Sequence, residues 1–400
     1  MLFNFNLYSA LLIPAFIQGM LFFCLLLYRG WKEEKLSDKL LGFLLLLNAL
    51  KIAYWMLGFA GWYDAHDAYT SFMFYFPFDN VICMGPLLYF YFLSLTNADF
   101  TIERKHQKHF ILPALWLLLI LAKFIFDYCL HYPFPDIENT QYGTKGPFAD
   151  LDKNKWTGLI SFASFFYYIF ITLRSFRSYQ LYVKENFSTT EDIRFNWLRN
   201  ILYAISAGVL IIFLFNLIAQ FKTFGNNSYI FDWYAYIFLG MVTYYLSIAG
   251  FYTKHRLLQK LHFTPSEQQA LPEEKIINEK EEMPALQNWK EKLFIHMAEK
   301  KPHLEAELTL SDLAKQLKTN SSVLSKVIND GTGRNFNDFI NAYRVQEVIA
   351  KLKAGEQQKQ TLLGIAYDCG FNSKATFNRA FKKITGKPPK EFMDALDAVN

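Results

Sequence analysis

Long apolar runs recur through the first 251 positions and then stop. A helix of about 20 predominantly apolar residues matches the thickness of a bilayer's hydrocarbon core. Such runs fall at 7–28, 40–59, 72–95, 110–128, 158–173, 201–221 and 230–251. The fifth is short, and the third is interrupted by Pro77, Asp79, Asn80 and Pro86. The first has no basic leading segment and is followed by Arg29 and Lys32, so it reads as a retained span rather than a cleaved signal. Beyond residue 288 the long runs give way to short amphipathic periods with apolar positions three and four apart, which predict a small soluble helical domain.

Composition agrees with that division. The chain of 400 residues is 52% hydrophobic and 18% aromatic although its last quarter is plainly polar. Charge then orients the spans, because Lys and Arg concentrate in cytoplasmic loops. Arg29, Lys32, Lys35 and Lys39 follow the first run, and Arg104, Lys105 and Lys108 follow the third. Arg174, Arg177, Lys184, Arg194 and Arg199 lie between the fifth and sixth, and Lys254, Arg256 and Lys260 follow the seventh. The amino terminus and residues 60–71 carry no Lys or Arg, and the 129–156 loop balances three lysines with acids. This bias places the amino terminus outside and the carboxyl terminus in the cytoplasm. The localisation it predicts is the bacterial cytoplasmic (inner) membrane.

Three domains are expected: a seven-span membrane domain at 1–256, an acidic linker at 257–287 and a soluble domain at 288–400. The linker holds six glutamates between 267 and 282 with Pro265, Pro272 and Pro284. That composition favours an extended segment.

The soluble domain carries the clearest local signal. Thr361 is placed to cap a short helix with Leu362, Ile365 and Ala366 on one face, and Gly370 supplies a left-handed turn. Asn372 or Ser373 then caps a second helix with Phe377, Ala380, Phe381 and Ile384 inside. Its outer face carries Lys374, Asn378, Arg379, Lys382 and Lys383. No acidic residue lies between Asp368 and Glu391. A capped helix with one apolar and one basic face, after a tight turn, suits a DNA major groove. The pattern recurs upstream: Thr309, Leu310, Ala314, Asn320 and Ser321 match Thr361, Leu362, Ala366, Asn372 and Ser373 at an offset of 52. After one extra residue in the second copy, Lys326 matches Arg379 and Gly333 matches Gly386. Residues 335–353 read as one helix joining the copies. The predicted fold class is therefore all-α: a seven-helix transmembrane bundle followed by a soluble double helix-turn-helix.

The segments LTLSDLA, VLSKV, FINAYRV and IAYDCGFNSKATFNRAFKKITGKPP resemble the DNA-binding domain of AraC/XylS-type transcription regulators. The resemblance covers roughly the last quarter of the chain. It implies two helix-turn-helix units reading successive major grooves of double-stranded DNA. Carried over by position, the base-reading set is Ser322, Ser325 and Lys326 in the first unit. In the second it is Lys374, Ala375, Asn378 and Arg379, with Lys382 and Lys383 on phosphates. The first groove helix presents small serines where a base-reading arm could be longer, which puts its share of specificity in doubt.

Little other chemistry is visible. Cys24, Cys83, Cys129 and Cys369 have no metal or redox spacing, and His106 with His109 reads as loop residues rather than a metal site. No catalytic signature is present, so no cofactor and no enzyme activity are expected. Polar residues inside the apolar runs mark function by default. Lys51, Asp79, Asn80, Lys123 and Asp127 are the signal-sensing set, with ion pairing that merely holds the bundle as the plainer role. The combined expectation is a membrane-bound transcription regulator whose partners are DNA and the lipid bilayer. The architecture also admits RNA polymerase, a second copy of the chain, and a signal ligand or membrane partner. The alternative is a membrane transporter or enzyme with a regulatory cytoplasmic tail.

Overall fold

The structure, a computed structural model, describes residues 4–134, 144–150, 156–219, 228–253, 261–265 and 279–397. These residues are helical, and the sole strand-like pairings among them are two isolated bridges. The helices are α1 (Leu7–Ala10), α2 (Ile13–Lys32), α3 (Leu36–Phe59), α4 (Ala68–Met73), α5 (Val81–Thr96), α6 (Ile111–Leu130), α7 (Pro147–Asp150), α8 (Trp156–Asn186), α9 (Asn196–Ala219) and α10 (Ser228–Phe251). After them come α11 (Glu279–Lys300), α12 (Leu310–Gln316), α13 (Ser321–Thr332), α14 (Phe336–Lys353), α15 (Leu362–Asp368), α16 (Lys374–Thr385) and α17 (Pro389–Asp397). The chain forms two compact units, one of Met1–Phe176 with Asn196–Thr264, the other of Arg177–Phe195 with Pro265–Asn400.

In the first unit, small residues let helices approach closely, as in packing where apolar solvent gives no hydrophobic drive. A Cβ on Gly19 of α2 would stand 3.0 Å from the Ala49 Cβ of α3, and one on Gly240 of α10 would stand 2.9 Å from the Ala15 Cβ of α2. Arg29 fastens the same three helices. It donates to both Asp38 carboxylate oxygens at 2.6 and 2.8 Å and to the Phe251 carbonyl at 2.7 Å.

Among the described residues, 5 helices are long and apolar enough to cross a membrane, at Leu7–Lys32, Leu36–Phe59, Arg104–Leu130, Gly158–Asn186 and Asp232–Phe251. They coincide with the first, second, fourth, fifth and seventh expected spans. The third is not one continuous span: it is split into α4 and the 16-residue α5. The break falls at 74–80, where Pro77 lacks an amide to donate and restricts the residue before it. The sixth coincides with α9, which is not among the five.

Two stretches of the expected linker, 261–265 and 279–287, lie among the described residues. Leu261 and Phe263 are buried, and the backbone pairs with the end of α5: Ala98 N donates to Leu261 O at 2.8 Å and Phe263 N to Thr96 O at 3.2 Å. At the other end, α11 begins at Glu279 because its run of Glu, Lys, Ala, Leu and Gln favours helix despite Pro284. The rest of the linker, 257–260 and 266–278, lies outside the described residues, as do Lys254, Arg256 and much of the 129–156 loop. Residues 177–195 group with the carboxyl-terminal helices, not with the apolar ones.

In the second unit α14 serves two cores. Its first half, through Phe336, Phe339 and Ile340, packs with Leu293, Leu313 and Leu324. Its second half, through Val345, Val348 and Leu352, packs with Ile365, Phe377 and Phe381. One continuous helix thus carries both copies of the repeated motif.

Candidate nucleic-acid interface

Local chemistry builds each motif as the sequence predicts. Thr309 and Asp312 form a reciprocal capping box at the start of α12, and Asn320 accepts the Val323 amide at the start of α13. In the second copy Thr361 caps α15, and Ser373, rather than Asn372, caps α16 by accepting the Thr376 amide. The extra residue of the second copy therefore sits in the turn. The left-handed residues Lys318 (φ 55) and Gly370 (φ 88) are still 52 apart, whereas the caps Asn320 and Ser373 are 53 apart.

Helix α16 buries Phe377, Ala380 and Phe381. Ile384, expected inside with them, is 38% exposed, because it lies in the last turn where the core has ended. The opposite face presents Lys374, Ala375, Asn378, Arg379, Lys382 and Lys383, all exposed. Their spacing of one, four and five places them on one stripe of the helix. On α13, Ser322 and Lys326 are exposed, while Ser325 is half-buried and accepts the Asn329 side-chain amide at 3.4 Å.

Two of the basic arms are already engaged. Lys383 Nζ donates to Asp338 at 2.8 Å, and Arg379 Nη2 donates to Glu191 at 3.0 Å. Burial pushes the Glu191 carboxyl up. Hydrogen bonds from Ser373 and Thr376 and the charges of Arg379 and Arg194 outweigh that and hold it below the usual carboxylate range. Glu191 belongs to the stretch at 187–195, of which Phe187, Ser188, Thr189, Thr190, Ile193 and Phe195 are buried.

Arg344 anchors this region from beneath. It is fully buried on α14, and donates to the carbonyls of His303 and Glu305, each at 2.8 Å, and to the Ser188 hydroxyl at 3.1 Å. Burial lowers its guanidinium to about 10. Neither Glu191 nor Arg344 was picked out from sequence. Arg344 did leave a signal: it stands four residues from both Ile340 and Val348, a charge on the apolar face of a helix.

Of the polar residues expected in the membrane domain, the structure brings three together. Lys51 Nζ donates to Asp79 at 2.6 Å, and the neighbouring Asn80 donates to the Leu47 carbonyl one turn from Lys51 at 3.0 Å. Asp127 is separate and fully buried, accepting from the Tyr75 hydroxyl at 2.6 Å and the Phe148 amide at 2.9 Å. Lys123 lies one turn earlier on the same helix, half-buried. Among the described residues no group of three or more His, Cys, Asp or Glu could hold a metal ion.

Comparison with known proteins bears on the second unit. Over 97 residues the chain is 32% identical to uncharacterised HTH-type transcriptional regulators of Staphylococcus aureus strains COL, MSSA476 and N315. The aligned part is 24% of this chain and spans 13% of the length of those relatives. No solved structure is significantly similar. Residues 313–395 match the family model of a helix-turn-helix domain. The region from α12 to α17, with its two capped and turned helix pairs, is therefore an AraC-type helix-turn-helix domain.

Proposed function

We propose that this chain is a membrane-bound, DNA-binding transcription regulator. Its apolar helices hold it in the bacterial cytoplasmic membrane, and its double helix-turn-helix reads specific double-stranded DNA on the cytoplasmic side. The first unit senses a signal, and the Lys51, Asp79 and Asn80 cluster is the place where a polar ligand or partner would be felt, since Lys51 is an ionisable group within an apolar helix, where its charge is costly. The observation that carries the DNA reading is the exposed stripe of α16. Six side chains, four of them basic, stand on one face of a capped helix that follows a tight turn, inside a region matching a helix-turn-helix domain.

Asn378 tests the reading most cleanly, because Arg379 also engages Glu191. A duplex selected from random-sequence DNA by the full-length protein in phospholipid nanodiscs supplies the preferred site. Asn378→Ala should weaken binding to it by about 1–3 kcal/mol and leave a scrambled duplex nearly unchanged. Lys382→Ala should weaken both duplexes alike and reduce the salt dependence by about one unit. Equal weakening of both duplexes by Asn378→Ala would assign that residue to the backbone instead of the bases.

A further inference from the structure

The stretch at 187–194 packs into the helix-turn-helix domain, its first residues bonded to the chain ahead of α12. Phe187 and Thr309 form an isolated antiparallel bridge, and Ser188 N donates to Leu308 O at 3.1 Å. Thr189 Oγ1 donates to Ala306 O at 2.7 Å. Asn337 Nδ2 on α14 donates to Phe187 O at 3.1 Å and Ser188 O at 2.7 Å. Arg344 holds the Ser188 hydroxyl from below. Four consecutive residues, 187–190, are buried. A buried, hydrogen-bonded segment of this kind is held more firmly than an exposed loop contact.

This anchoring delivers the next residue, Glu191, to the start of the second groove helix. Glu191 takes a hydrogen bond from Arg379 Nη2 at 3.0 Å and stands beside Ser373, the cap of α16, and Thr376 in its first turn, whose hydroxyls help to hold its carboxyl low. DNA phosphates favour this amino-terminal end of a groove helix, where amides and the helix dipole are positive. Arg379, the arm suited to a guanine edge, gives its Nη2–H to Glu191. We propose that the 187–194 strap is autoinhibitory. In the docked state Glu191 stands in for DNA on the second groove helix, and DNA binding requires the strap to lift. This rests on the DNA-reading function proposed above.

A carboxylate that only oriented Arg379 for a base would leave the helix amino terminus open to phosphate. Glu191 takes both places, and DNA brought to this end would meet a like charge. The strap also connects α8 directly to α9, so the chain ties the blocking residue to two apolar helices. A change in those helices acts on the strap through the backbone alone, without cleavage of the chain.

The test uses the full-length protein in phospholipid nanodiscs, with the selected and scrambled duplexes as probes. Glu191→Gln should bind the selected duplex roughly three- to tenfold tighter, the size of a partly exposed ion pair plus its hydrogen bonds. Thr189→Ala changes no charge but loosens the strap, and should tighten binding in the same direction. Glu185→Gln removes an equal charge from an exposed position at the end of α8 and should stay within about twofold of wild type. Weaker binding of the selected duplex by Glu191→Gln, with the scrambled duplex spared, would show that Glu191 positions Arg379, and would overturn autoinhibition while leaving the DNA reading intact. Unchanged binding by both Glu191→Gln and Thr189→Ala would overturn it as well. Failure of every form to prefer any duplex would overturn the DNA reading itself.

Discussion

His303 shows what burial does to a single residue in this unit. It is 3% exposed, and burial drives its imidazole down to about 4 despite the Glu347 carboxylate nearby. In the unfolded chain a histidine titrates near 6.5. Between those two values the unfolded state holds the extra proton, so stability rises with pH there and falls as pH drops from about 6.5 towards 4. Amide exchange of α14, followed across that interval, should show protection declining with acid. His303→Gln removes the titration and should flatten the decline. An unchanged slope would assign it to other groups. Sequence alone places His303 in a polar stretch before Thr309, with no apolar period to reveal its burial. Arg344 was legible in principle, as a charge among Ile340, Tyr343 and Val348. What it holds was not, since its acceptors are carbonyls whose positions depend on the folded chain.

At the scale of elements, the local sequence specifies most of what forms. Caps, turns and the apolar stripes of α14 and α16 follow from residues within four positions of one another, and the structure differs by a residue or two at the ends. The two turns are the instructive pair. Lys318 and Gly370 both adopt left-handed backbone, but only the second is crowded: a Cβ there would stand 2.5 Å from the His303 carbonyl oxygen and 2.9 Å from that of Leu304. Gly370→Ala should therefore destabilise the second helix pair by at least about 2 kcal/mol, from the left-handed strain and the clash together. Lys318→Gly relieves strain without a clash and should be neutral or stabilising by up to about 1 kcal/mol. Exchange protection of α15 and α12 measures each, and a tolerant Gly370→Ala would mean the backbone there can shift. The strap, by contrast, could not be read at all. Glu191 and Arg379 are 188 residues apart, and no local period records such a contact.

For the whole molecule the strap adds a constraint that hydropathy does not supply. Because 187–195 packs within the helix-turn-helix unit, the loop after α8 and the carboxyl-terminal domain must share one compartment. The chain between them passes through α9 and α10, so under the proposed membrane location it crosses the bilayer an even number of times. Asp232–Phe251 is long and apolar enough to cross, and if it does, α9 must cross too; only part of α9 lies among the residues whose side chains are described. Under the same proposal this shared compartment is the cytoplasmic side, in keeping with the basic residues at the end of α8 and around the strap: Arg174, Arg177, Lys184, Arg194 and Arg199. Reporter fusions check the scheme. A periplasm-dependent reporter should be active when joined at Asp150 or Ser228, and inactive at Lys108, Arg177 or the carboxyl terminus. An active fusion at the carboxyl terminus would remove the domain from the DNA. Inactivity at Ser228 with activity at Asp150 would leave α9 and α10 both on the cytoplasmic side, and the membrane would then hold the chain by its first 186 residues alone.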